Sequence, residues 1–308
     1  MRAARISTYG GPEVLQLVDV DPPAPGPGEV VVEVRGSSLN PADVAVRNGW
    51  MAQYLPLELP LTLGIDVAGV VTEVGPDVAW PSVSEEVYGV AGVVMGASGA
   101  YAERALTRPE LLAVPPKGMD LVTAGTLPLV GVSAIQAIEE NLEVGPGTRL
   151  FVHGAAGGVG PLATALARHL GAHVVASCRG GLTNIDHIGA DQVVDTDDTD
   201  VVTLGPFDAS LDLVGSDPTT VLDVTRPQGR AVSLVMPPDP ERAAAKQVTA
   251  MLQAGDVTTP RLDRLRELVE SGVLTPLVTE RVSLDDIAKA FEIKAAGGVR
   301  GKIAITIS

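Results

Sequence analysis

The sequence predicts an α/β chain of two parts, a β-rich first domain and a doubly wound parallel sheet, and two observations carry that prediction. From Leu121 onward, short apolar runs that read as buried strands alternate with stretches of helical spacing, the pattern of a parallel sheet covered by helices on both faces. Before that point the chain shows short strands punctuated by Gly and Pro, interrupted by one short helix.

In the first part, Ala3 to Tyr9, Val14 to Val20 and Val30 to Val34 read as strands, separated by Gly10-Gly11-Pro12 and by the rigid link Pro22 to Gly28. Asn40-Pro41 starts a short helix, with Asn40 at the cap and Pro41 in the first turn, where a missing N–H costs little. Pro60 to Val74 reads as a glycine-punctuated strand pair bending around a small barrel. Val87 to Val94 and Ala100 to Leu106 continue the strands.

In the second part, Thr123 to Val130 and Ser133 to Asn141 carry helical spacing, and Gly145-Pro146-Gly147 resets the chain before the stretch Arg149 to Gly160. That stretch starts as a buried strand and passes into a glycine-rich turn. A helical pattern follows from Leu162 to Leu170, and His173 to Ser177 is the next strand. Ala155, Gly157 and Gly160 hold the three positions of the dinucleotide fingerprint, with alanine in the first. A βαβ unit of about 30 residues around such a turn is a dinucleotide site. It brings a diphosphate to the electropositive helix end, and Ala155, Gly157, Gly158, Val159 and Gly160 are the candidate binding residues.

Further strands are expected at Gln192 to Val194, Ala209 to Leu213, Ala231 to Val235 and Thr249 to Leu252, with a helix over Pro237 to Val248. Arg261 to Gly272 is an amphipathic helix with Leu262, Leu265, Leu268 and Val269 on one face, and Leu284 to Lys294 is another. Lys302 to Thr306 alternates as a terminal strand and needs a sheet to join. The β-rich domain offers the open edges, so the expected division is 1–122 for the first domain, 123–272 for the dinucleotide domain and 273–308 for a return to the first.

The 308 residues, 45% hydrophobic, are enough for two cores. A formal charge of -16 disfavours nucleic acid and anionic membrane surfaces as partners. No segment approaches the apolar length of a membrane span or a signal peptide, and a cytoplasmic protein is expected. Cys178 is the single cysteine, which leaves no disulfide and no thiolate cluster for structural zinc. Among the histidines, His153 reads as a support for the turn.

The coenzyme is read from the end of the second strand. A site for NAD usually carries an acid about 20 residues beyond the fingerprint; here Ser177-Cys178-Arg179 stands in that place. A guanidinium that binds a 2'-phosphate bidentately favours NADPH, with Ser177 and Arg179 as its candidate contacts. The acidic run Asp197, Asp198 and Asp200 weakens the preference if it folds toward Arg179. Leu213 and Val214, with Val235, end strands on the coenzyme side and are expected to line the nicotinamide channel.

Along its whole length the chain resembles the zinc-free quinone oxidoreductase branch of the medium-chain dehydrogenase/reductase superfamily. The matching segments include Gly11-Pro12-Glu13-Val14-Leu15, Leu39-Asn40-Pro41-Ala42-Asp43, Gly64-Ile65-Asp66-Val67-Ala68-Gly69, His153 to Gly160, Ile188-Gly189-Ala190-Asp191, Leu211-Asp212-Leu213-Val214-Gly215 and Gly301-Lys302. The resemblance implies a GroES-like catalytic domain completed by the C-terminal segment, a six-stranded Rossmann domain, and a coenzyme in the cleft between them. Zinc-dependent relatives place a cysteine near Asn40 and a His-Glu pair where Ile65-Asp66 stands here, so no metal is expected.

The resemblance also places Asn40 beside nicotinamide and substrate, where its amide donates a hydrogen bond, and Asn40 is the first candidate catalytic residue. Tyr54 is the second, as a phenol lining the substrate pocket. The expected function is NADPH-dependent hydride transfer to a quinone or other α,β-unsaturated carbonyl, by a homodimer pairing through the strand near Val248 to Leu252. The alternatives are an enoyl reductase acting on a biosynthetic intermediate and a nucleotide-binding structural protein without catalysis. An alcohol dehydrogenase is disfavoured, since no metal or relay acid is at hand to polarise an alcohol.

Overall fold

The structure is a computed structural model and describes residues 1–308. Its strands in chain order are β1 (Arg2–Ile6), β2 (Leu15–Asp19), β3 (Val30–Ser38), β4 (Leu61–Thr62), β5 (Asp66–Val74), β6 (Glu86–Val90), β7 (Arg104–Thr107), β8 (Leu112–Ala113), β9 (Arg149–His153), β10 (His173–Cys178), β11 (Gln192–Asp195), β12 (Phe207–Asp212), β13 (Thr225–Ser233), β14 (Thr249–Leu252), β15 (Val278–Ser283) and β16 (Lys302–Thr306). They fall into two compact units. One comprises residues 1–129, 257–270 and 278–308, and the other residues 130–256 and 271–277.

The first unit is GroES-like and β-rich. A three-stranded sheet runs β2-β1-β4, and a seven-stranded sheet runs β15-β16-β3-β5-β6-β8 with β7 also on β3. The nine residues of β3 read Val-Val-Val-Glu-Val-Arg-Gly-Ser-Ser and are buried over much of their length. They pair with β5 along one edge and with β7 and then β16 along the other. The terminal strand therefore joins the sheet of the opening segment, register Ala304 to Ser38. Tyr101 and Phe291 meet edge to face at 6.3 Å in this core, and the Arg47 guanidinium lies 4.9 Å over the Phe291 ring.

The second unit is a Rossmann-type sheet of six parallel strands in the order β11-β10-β9-β12-β13-β14. Leu150, Phe151 and Val152 of the central β9 are wholly buried, as expected for a strand covered on both faces. The chain winds outward in one direction from β9 through β10 to β11 and in the other through β12. The crevice at the carboxyl ends of β9 and β12 is thus the topological switch point where such sheets bind ligands.

Three elements differ from expectation: the two-residue β8, β15, and the helix Thr220–Val224. Strand β15 reads Val-Thr-Glu-Arg-Val-Ser, with its central Thr279, Glu280 and Arg281 exposed, and lacks the apolar alternation that marks a half-buried strand. The sequence expectation puts the amphipathic helix Thr259–Glu270 in the dinucleotide domain, whereas its contacts place it in the first unit. The Tyr88 hydroxyl donates to the Leu262 carbonyl at 2.5 Å, and the Thr259 hydroxyl donates to the Leu112 carbonyl at 2.8 Å. Periodicity shows which face of a helix is apolar and says nothing of which sheet that face meets.

Phe151 stacks on Phe207 at 5.2 Å in the middle of the Rossmann sheet. Phe151→Ala is expected to lower the unfolding free energy of this unit by about 3–5 kcal/mol, through lost burial and the cavity left behind, as read by urea denaturation.

Candidate active site

The turn after β9 is built to stay tight and open. Gly154 has φ +79, and its N–H donates to Ser177 Oγ at 3.2 Å. The Ala155 N–H donates to the Ser177 carbonyl at 2.8 Å. A Cβ on Gly160 would lie 2.1 Å from the Ala155 carbonyl oxygen, so only glycine lets the helix Val159–His169 start this close to the turn. A Cβ on Gly157 would meet nothing within 4 Å, and Gly158 at the helix N-cap has no side-chain hydrogen bond to the helix. No side chain caps this helix, and the turn at Gly157 borders open space, which fits a dinucleotide diphosphate.

Ser177 lies under the turn and not at its surface. It is wholly buried, and its hydroxyl is shared between His153 Nδ1 at 2.8 Å and the Gly154 N–H. It braces the turn from below. His153 is the other half of the brace, stacked on Phe151 at 5.8 Å, and burial lowers its pKa. Arg179, two residues on, has an 83% exposed side chain and pairs with Asp197, Nε to Oδ1 3.0 Å.

On the other side of β9 the ends of β12 and β13 are held by a second brace. Buried Asp212 accepts from the N–H groups of Val214 at 2.9 Å and Gly215 at 3.1 Å. It also accepts from the Ser233 hydroxyl at 2.9 Å. The Leu213 N–H donates to the His153 carbonyl at 3.0 Å. Val214 and Val235 are left with exposed side chains, apolar groups displayed at the carboxyl edge of the sheet beside the turn.

In the first unit the Asn40 side chain sits in a buried polar network. Its Nδ2 donates to Asp66 Oδ2 at 2.8 Å and, at a longer 3.4 Å, to the Ser38 carbonyl. Its Oδ1 accepts from Lys302 Nζ at 2.6 Å. Lys302 also donates to the Leu39 carbonyl at 3.2 Å and stands 3.7 Å from Asp66. Asp66 takes two further donors, the Ser38 hydroxyl at 2.5 Å and the Leu129 N–H at 2.8 Å. Asp43 accepts from the Asn40 N–H at 2.9 Å and the Tyr101 hydroxyl at 3.1 Å, the first being half of a capping box.

Burial dominates the charges of this network. It pushes the Asp43 carboxyl up to about 7, with the Asn40 N–H opposing and the Asp66 carboxylate adding to the rise. Burial lowers the Lys302 ammonium while the two carboxylates hold it up. It also raises the Tyr101 phenol well above its usual value. Asp66, Lys302 and Tyr101 were not among the sequence candidates. The available signal was an acid and a lysine, each set in an otherwise apolar strand, since a buried charge requires a partner.

Tyr54 lies apart from this network, in the turns after the helix Pro41–Arg47, and is 76% exposed. A zinc ion does not fit where the resemblance puts the zinc ligands of other enzymes. Asn40 and Asp66 hold one another and the Lys302 ammonium there. No group of three or more His, Cys, Asp or Glu side chains in the chain is arranged to hold a metal ion.

Residues 26–117 match the alcohol dehydrogenase GroES-like domain family, and residues 188–305 match the zinc-binding dehydrogenase family. The mitochondrial NAD(P)H oxidoreductase RTN4IP1 of Homo sapiens is 32% identical, over 100% of this chain and 89% of its own length. The quinone oxidoreductase of Coxiella burnetii superposes with a TM-score of 0.92 at 30% identity, covering 100% of this chain and 99% of that one. The Escherichia coli quinone oxidoreductase complexed with NADPH superposes with a TM-score of 0.89 at 25% identity, covering 99% and 100%. The chain belongs to the quinone-oxidoreductase-like branch of the medium-chain dehydrogenase/reductase superfamily, the branch without zinc ligands.

The expectation of a cytoplasmic protein is corrected by the same comparison. Relatives matched along the whole chain are named for organelles, mitochondrial in Homo sapiens and chloroplastic in Triphysaria versicolor. Net charge and the lack of an apolar span describe a folded body, and such a body can reside in any of these compartments. No helix is long and apolar enough to cross a membrane.

The raised Asp43 pKa has a consequence for stability. The folded chain holds this proton up to about pH 7, while the unfolded chain releases it near 3.8, so stability falls as pH rises between those values. The full effect is about 4 kcal/mol at roughly 1.4 kcal/mol per unit. Urea unfolding across that range is expected to show the wild type losing stability relative to Asp43→Asn as pH rises, and regaining it on acidification.

Proposed function

We propose that the chain is a metal-independent, NADPH-dependent reductase that delivers hydride to a quinone or another α,β-unsaturated carbonyl. The observation that carries this reading is the uncapped glycine turn at the switch point, with Gly157 facing open space. It has exposed Val214 and Val235 on one side and exposed Arg179 on the other. The names of the Coxiella burnetii and Escherichia coli proteins, and the NADPH in the second, support it.

When bound, the coenzyme supplies the hydride. The chain's own work is to hold and to polarise. The N–H groups of the turn and first helical residues neutralise the diphosphate, Arg179 receives the 2'-phosphate, and Leu213, Val214 and Val235 form an apolar wall that keeps water from the reacting ring. Reduction places negative charge on the acceptor's carbonyl oxygen, and a fixed donor there lowers the barrier.

Asn40 is the donor we assign, acting from a buried position, 1% exposed, through its less firmly held hydrogen. Lys302 on Oδ1 polarises the amide, and the hydrogen with the longer contact, 3.4 Å to Ser38, is the one an acceptor oxygen takes over. Tyr54 lines the acceptor's entry. Solvent protonates the product, so a dedicated side-chain acid is not required. The active form is a homodimer whose sheets pair through the outer edge of β14, where Leu252 is exposed.

The test is coenzyme oxidation with a panel of quinones and enones. Wild type is expected to turn over with NADPH, and Asn40→Ala to lose about 100-fold in kcat while NADPH affinity, measured by titration, stays within twofold or so. An Asn40→Ala variant with unchanged kcat removes this role. Sedimentation is expected to show a dimer for wild type and a monomer for Leu252→Lys.

A further inference from the structure

Arg179 is already occupied by an acid that the fold holds in place. Asp197 Oδ1 accepts from Arg179 Nε at 3.0 Å, and Asp197 Oδ2 accepts from the Gly180 N–H at 3.3 Å. The Asp197 N–H donates to Asp195 Oδ1 at 2.9 Å, and the other oxygen of Asp195, a mostly buried residue, accepts from the Gly181 N–H at 2.5 Å. The Thr196 N–H and hydroxyl both donate to the Cys178 carbonyl, at 2.9 and 3.2 Å. The loops following β10 and β11 are thus stapled together, with the Asp197 carboxylate aimed at the guanidinium.

This arrangement rests on the coenzyme reading above and deepens it. We propose that Asp197 is a built-in competitor for Arg179, so that the site takes NADH and NADPH with affinities only a few-fold apart. The 2'-phosphate of NADPH must draw the guanidinium away from Asp197 and then sit beside that carboxylate. The ribose hydroxyls of NADH meet no such competition, and Asp197, held beside the end of β10 from the loop after β11, offers them a carboxylate as acceptor. Because Arg179 is exposed, its pairing with Asp197 is weak enough for a dianion to displace. The competitor therefore narrows the preference without abolishing it.

The experiment is titration of NADPH and NADH into wild type, Asp197→Asn, Arg179→Ala and the double variant. Asp197→Asn is expected to tighten NADPH about fivefold, the factor an exposed ion pair can withhold, and to leave NADH unchanged or weaker. In the Arg179→Ala background the same substitution is expected to tighten NADPH by less than about half that factor. Asp197→Ala, which removes the Gly180 contact as well, is expected to act in the same direction as Asp197→Asn. Unchanged NADPH affinity in Asp197→Asn overturns the proposal and leaves the coenzyme reading intact. So does an equal gain for both coenzymes, or a full gain that persists without Arg179. Wild type that binds neither coenzyme overturns both.

Discussion

The buried pairing of Lys302 with Asp66, bridged by the Asn40 amide, is the interaction on which the first unit depends. It brings together residues separated by 262 positions, at the start of the last strand and at the helix cap that follows β3. Taking an ammonium and a carboxylate out of water costs several kcal/mol each. The cost is offset only because almost every remaining donor and acceptor is satisfied: Leu39, Ser38, Leu129 and Tyr101 all contribute. Removing one charge would leave the other buried and unpaired, so Lys302, Asp66 and Asn40 act as a set. The same set accounts for the missing metal chemistry: the donors that would face a zinc ion are spent on a fixed internal cation.

The second unit solves a different problem, that of keeping a bare backbone turn rigid at the end of a dry sheet. It does so with two buried braces. Ser177 and His153 hold the turn after β9, and Asp212 with Ser233 holds the ends of β12 and β13. Both braces lie beneath residues that present only backbone or small apolar side chains to a ligand. Rigid support under a bare surface is what allows N–H groups to bind charge without rearranging.

Much of this was legible in the sequence because it is local. The glycine turn, the flanking strand and helix, and all six strands of the parallel sheet follow from short-range periodicity and turn chemistry. The acidic run after Val194 was visible as a possible neighbour of Arg179, and Asp197 does pair with it. What escaped is long-range or lacks a pattern. Ser177 looks like a phosphate ligand in sequence, and only its burial beside His153 reveals a brace. Strand β15 exists because β16 offers it a parallel edge, not because of its own alternation. Lys302 and Asp66 each look anomalous alone, and their common purpose appears only when the terminal strand returns to β3.

Hydride passes here from a nicotinamide coenzyme to a conjugated acceptor without a metal. It can be followed by NMR of the product formed from an enone and NADPH carrying deuterium at both C4 positions of the nicotinamide, using protein dialysed against a strong chelator. One deuterium on the β-carbon, at the rate given by undialysed protein with the same coenzyme, is expected. Bound NADPH with no deuterated product across the enone panel, or turnover that returns only when zinc is added, would exclude metal-free hydride transfer.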